Sequence, residues 1–115
     1  MTENESTHDM QMISNSKWQT FFADLVQKYR GQLVSIEVGE DLLVDNPPPA
    51  KVPLLGVEYH RHKGVVVSTG SDAATETHSV KAPDLVWAVH SEDGKLVAVE
   101  IVGRDDRNLI LYLEP

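Results

Sequence analysis

The chain has 115 residues, no cysteine, and ten Lys and Arg against eighteen Asp and Glu, for a net charge of −8 at pH 7. A length of this order supports one domain that buries roughly 65% of the surface of its unfolded chain, with no need of a metal or disulfide staple. The missing cysteine excludes thiol catalysis and cysteine-ligated zinc or iron–sulfur centres, and the acidic balance disfavours a phosphate-backbone binder.

Residues 1–15 (MTENESTHDMQMISN) are mostly polar and read as a flexible tail, in which His8 and Asp9 lack the convergent partners a metal site requires. There is neither the basic nor the apolar region of a secretory leader. No apolar run approaches the roughly 20 residues of a membrane span, so a cytoplasmic protein without a membrane role is expected.

Ser16–Arg30 (SKWQTFFADLVQKYR) carries Trp18, Phe21, Phe22, Leu25, Val26 and Tyr29 at the spacing of one helical face, with Lys17, Gln19, Asp24 and Gln27 on the other. Ser16 with Gln19 reads as a capping box, Lys28 and Arg30 suit the negative end of the helix dipole, and Gly31 offers a left-handed exit.

Beyond Gly31 the period becomes two. Leu33–Val38 reads as a half-buried strand with Val34, Ile36 and Val38 on one face. Residues 39–51, with three consecutive prolines, read as a stiff connecting loop. Val52–Tyr59 is a second strand, with Leu55, Val57 and Tyr59 on one side and Leu54 and Glu58 on the other. Gly56 marks a bulge or close approach. His60–Gly64 is the polar tip of a hairpin returning through Val65–Thr69, residues 70–76 read as a loop, and Thr77–Val80 as a short strand stopped by Ala82-Pro83.

The last third is the most apolar. Leu85–Val89 and Lys95–Val102 flank an Asp93-Gly94 turn and are expected to pair antiparallel, and Leu109–Leu113 closes the chain. Alternation gives inward sets Leu85, Trp87, Val89; Val97, Val99, Ile101; and Leu109, Leu111, Leu113. Val86, Ala88, Leu96, Ala98, Val102, Ile110 and Tyr112 then fall on the opposite face.

The W-x-x-F-F helix ending in Tyr29-Arg30-Gly31, Leu33–Glu37, the Pro53–Tyr59 strand, and His78-x-Val80-x-x-Pro83 with Val97–Ile101 together resemble a family of short, uncharacterised bacterial proteins. The resemblance implies a single domain over most of residues 16–113 and a bacterial origin. It implies no activity and no site.

The chemical candidates come from the residues themselves. His60 and His62 lie two apart, with Arg61 and Lys63 beside them and His78 or His90 as a distant third ligand. The neighbouring cations oppose a metal, so His60, Arg61, His62 and His78 are weak candidates for an anion or carboxylate ligand instead. Glu37, Glu58 and Glu100 sit inside strands. Paired on one face they would be raw material for acid–base catalysis, but outward glutamates on strands are ordinarily solvated or cross-strand partners. No cofactor motif, phosphate loop or metalloprotease signature occurs.

The expected architecture is therefore α+β: a tail over residues 1–15, then one domain over 16–115 with the amphipathic helix packed on a mainly antiparallel, curved sheet of about six strands. A non-catalytic interaction or oligomerisation domain leads the functional readings, a small-ligand binder with a pocket between helix and sheet comes second, and an enzyme third. A single helix shields only two or three strands, about 4.8 Å apart. The second apolar face thus expects either closure of the sheet on itself or a homodimer. The apolar final strand, with nothing to cover its edge, favours the homodimer. A protein partner is the other candidate.

Overall fold

The computed structural model describes residues 9–39, 51–71, 74–104 and 107–113. The elements in order are β1 (Asp9–Met12), α1 (Trp18–Tyr29), β2 (Leu33–Gly39), β3 (Val52–His60), β4 (Gly64–Ser71), β5 (Ala74–Val80), β6 (Pro83–His90), β7 (Leu96–Gly103) and β8 (Asn108–Leu113), with a 3-10 turn over Asn15–Lys17. The eight strands form one antiparallel sheet in the order β1-β6-β7-β8-β2-β3-β4-β5. This corrects the expected α+β domain of one helix on about six strands: the described chain is mainly sheet, and its helix is a 12-residue element.

One strand, β1, is additional to those expected, and another, β5, is longer than expected. Residues 9–12, assigned to the tail, pair with β6 from Asp9↔His90 to Met12↔Trp87. Their side chains are all exposed, so burial pattern carried no signal of a strand. Residues 74–76, assigned to a loop, extend β5, which pairs with β4 from Val65↔Val80 to Ser71↔Ala74. The stretch up to His8 and the proline run lie outside the described residues.

The sheet curls. β5 and β6 stand near opposite ends of the strand order, yet only Lys81 and Ala82 separate them in the chain. β5 also comes against β7 and β8. In a flat sheet β5 and β8 would lie about 19 Å apart, with strands spaced about 4.8 Å. The curl folds the three-stranded part, β3 to β5, over the five-stranded part, and among the described residues the two pair as strands at Leu33↔Pro53 and Val34↔Val52. The result is an open curved sheet.

Between the two parts lies the core. Val34, Leu54, Val57, Val65, Val67, Val80, Val86, Val99, Ile101, Leu109, Leu111 and Leu113 come from the sheet, and Trp18, Phe22 and Leu25 from α1. The apolar stripe expected of the helix is the one buried. Its start differs from the expected capping box: Lys17 stands at the N-cap with no side-chain cap, and Ser16 lies in the 3-10 turn. A tertiary bond accompanies this local arrangement, because Trp18 Nε1 donates to the Ile13 carbonyl at 2.8 Å, across the turn. Gly31 does take the left-handed exit, at φ +88°, and its N–H donates to the Leu54 carbonyl.

Pleat parity differs from expectation in two strands. In β3 the register shifts between Leu54 and Gly56, the expected bulge, which brings Leu54 to the same side as Val57; both are buried. In β6 the fully buried pair is Val86 and Ala88, whereas Leu85, Trp87 and Val89 face outward and are half-buried. Nor is β8 an edge. It lies between β7 and β2, and the edges are β1 and β5.

Candidate functional site

The outward face of the five-stranded part can be laid out row by row from the register. The central row runs Met12, Trp87, Glu100, Ile110, Glu37 across β1, β6, β7, β8 and β2. Beside it on one side run Met10, Val89, Ala98, Tyr112 and Ser35, and on the other Leu85, Val102, Asn108 and Gly39. Solvated antiparallel faces normally alternate with polar side chains. This one is mainly apolar, interrupted by Glu37, Glu100, Asn108, Ser35 and the Tyr112 hydroxyl. Met10 and Met12 are each 54% exposed at its margin, and Leu33 is exposed at the far side.

The carboxylates hold different positions. Tyr112 Oη donates to Glu37 Oε1 at 2.9 Å, and Ser35 lies buried in the same row as Tyr112. Burial, then the bond to Glu37, pushes the Tyr112 phenol up to about 12, with a smaller contribution from the Glu100 charge. Glu37 and Glu100 flank Ile110 on either side, so their backbones lie two strand spacings apart, about 9.6 Å. Among the described residues the buried Asn108 side-chain oxygen has no hydrogen-bond partner, and a polar group docking on this face would satisfy it.

The histidine candidates are dispersed. His60 ends β3, and its Nε2 lies 2.9 Å from Glu58 Oε1, so the expected cationic tip carries a carboxylate beside it. Arg61, His62 and Lys63 form the exposed turn that follows. His78 sits on β5 opposite Val67, whose side chain is in the core, so it lies on the inner side of the sheet while His60 points outward. His78 Nε2 is 3.8 Å from Glu76. Of the four, His60 and Arg61 share one cleft with Tyr59 and Gln19. Glu58, His60 and His78 thus lie apart from Glu37 and Glu100, which share the outward face with Tyr112. No group of three or more metal-ligating side chains occurs among the described residues.

Met10, Met12 and the outward position of Trp87 are not legible in the sequence. The methionines were hidden in a polar stretch. For Trp87, only the parity of β6 could have signalled exposure, and that parity cannot be read where both faces are apolar. A further cavity of about 290 Å³ lies between α1 and the β6–β7 turn, lined by Phe21, Leu25, Tyr29, Leu96, Lys28 and Lys95 among others.

Residues 9–115 match the sequence profile of DUF5335, a family of unknown function. An uncharacterised protein of Aquifex aeolicus (strain VF5) is 26% identical over 103 residues, covering 90% of each chain. No solved structure matches. No helix among the described residues is long and apolar enough to cross a membrane.

Proposed function

The chain belongs to the DUF5335 family of unknown function, and we propose that it is a non-catalytic interaction domain whose working surface is the outward face of β1, β6, β7, β8 and β2, with a second copy of the chain as its occupant. The observation that carries this is the predominance of apolar side chains in the rows of that face, with exposed methionines at its rim. Five strands about 4.8 Å apart and six residues at about 3.3 Å each span about 24 by 20 Å of sheet plane. That is below the roughly 800 Å² per partner of a standard interface, so association is weak. A chain without cysteine suits a reducing compartment, and the cytoplasm completes the proposal.

Light scattering over a micromolar concentration series tests it. Dimer mass that Ile110→Lys abolishes is the expected result; monomer mass throughout would overturn self-association. Glu37 and Glu100 support a second reading, a protein partner that brings a Lys or Arg to this face. Glu100→Gln separates the two. It strengthens a two-fold dimer by removing a desolvated carboxylate and weakens the capture of a basic partner.

A further inference from the structure

Where the two ends of the sheet come together, three connections far apart in sequence meet. The β3–β4 turn supplies Arg61, the β5–β6 link supplies Lys81, and the β7–β8 turn supplies Arg104. All three line one cavity of about 360 Å³ together with Asn15, Asp84, Trp18 and Tyr59. The rings meet edge to face at a centroid distance of 5.5 Å.

Backbone contacts hold this junction. Arg104 N–H donates to the Ala82 carbonyl at 2.9 Å, tying the β7–β8 turn to the link. Gly64, at φ +83°, packs its Cα against the carbonyls of Val80 and Lys81, so the β3–β4 turn is tied to the same link. The three cations are thus presented by segments that cannot drift apart independently.

The described lining of the cavity is basic although the whole chain is acidic. The chain carries −8 with only ten Lys and Arg, yet three of those ten converge here. Among the described residues one carboxylate, Asp84, faces them, with Oδ1 3.8 Å from Arg104 Nε and both groups largely exposed. At that distance and exposure the pair is weak and leaves the guanidinium's other donors to a ligand. Arg61 lines the neighbouring cleft as well, beside His60.

The geometry points to an anion site at this junction, with a phosphate-bearing small molecule as its ligand. Two guanidiniums and an ammonium from different directions suit a tetrahedral dianion, which accepts several charge-assisted hydrogen bonds at once, better than a single planar carboxylate. Asn15 supplies an uncharged amide at the same cavity, whose exposed lining is mainly polar. The site lies apart from the outward sheet face and does not depend on what occupies that face.

Pyrophosphate, titrated into the whole chain by calorimetry and by NMR of the Trp18 indole, is the probe. Saturable binding with a Kd below about 1 mM is expected, and Arg61→Gln and Lys81→Gln should each weaken it about tenfold. Asp84→Asn should tighten it, since the competing carboxylate is removed. Lys63→Gln, on the same turn as Arg61 but outside the cavity, should leave binding unchanged. Circular dichroism of each variant establishes that the sheet is retained. Absence of saturable binding would overturn the site, and so would an equal loss from Lys63→Gln, which would mean diffuse surface attraction.

Discussion

Tyr112 on β8 donates its phenolic hydrogen to Glu37 on β2 at 2.9 Å, linking residues 75 positions apart across two neighbouring strands of the outward face. The phenol is pushed up to about 12, first by burial and then by Glu37. Because the folded value exceeds the ordinary value near 10, the neutral phenol is the form the fold prefers. Its contribution to stability is complete below about pH 10 and is lost as pH rises through about 12. Urea melts of the parent chain should weaken over that window, and Tyr112→Phe should flatten the decline while costing about 1 kcal/mol at neutral pH. An unchanged alkaline decline in the variant would mean that another group causes it.

The helix anchor gives a larger effect. Phe22 is 1% exposed and Trp18 is 5% exposed, with its indole bonded to Ile13 and its ring against Tyr59. Phe22→Ala or Trp18→Ala should cost on the order of 3–5 kcal/mol, as cavity-forming aromatic substitutions do, whereas Lys17→Ala and Gln27→Ala should be near neutral. Chemical denaturation compares the two sets. Similar losses from both would mean that the stripe is not the buried face.

Gly64 and Gly94 share a left-handed backbone but differ in surroundings. A Cβ at Gly64 would collide with the Val80 carbonyl oxygen, while nothing lies within 4 Å of one at Gly94. Gly94→Ala should cost about 1 kcal/mol from the backbone conformation alone. Gly64→Ala should cost clearly more, because backbone must move. Thermal melts of the two variants settle the order, and equal costs would remove the close approach between the β3–β4 turn and the β5–β6 link.

β1 is the weakest part of the sheet on physical grounds. It is four residues long, pairs only with β6, and buries none of its side chains. Native-state hydrogen exchange should find the amides of Asp9–Met12 opening well before those of Val99 and Leu111 in the core. Truncation before Ile13 should leave the core intact but free the β6 edge beside Trp87 and Val89, and the expected result is increased association by light scattering. Protection in β1 equal to that of the core would contradict this.

Local chemistry was enough to read much of the chain. The stripe from Trp18 to Tyr29 names its own buried face because the opposite face is polar, and Asp93-Gly94, His60–Gly64 and Gly56 mark turns and a bulge through properties of single residues. Ser91 Oγ bonds the Asp93 carboxylate and lowers its pKa, a stabilisation within five residues of the kind a sequence can foreshadow. The candidate site was legible only in part. Glu37 and Glu100 could be placed on strands, but not on the same face with Ile110 between them, and Arg61 could be identified as a cation, but not as a neighbour of Lys81 and Arg104.

What tertiary structure alone decided has one cause: those features depend on which strands pair. Val86 and Ala88 could trade faces with Leu85, Trp87 and Val89 without altering the apolar pattern of β6, and only packing inside the curled sheet chooses the smaller pair for the interior. The final strand became central because β2, from the other end of the chain, pairs with it. β1 emerged from a polar segment because backbone hydrogen bonds to β6, not burial of its side chains, hold it. Alternation specifies a strand, but the order of strands and the direction of curl come from contacts between residues that sequence proximity does not relate.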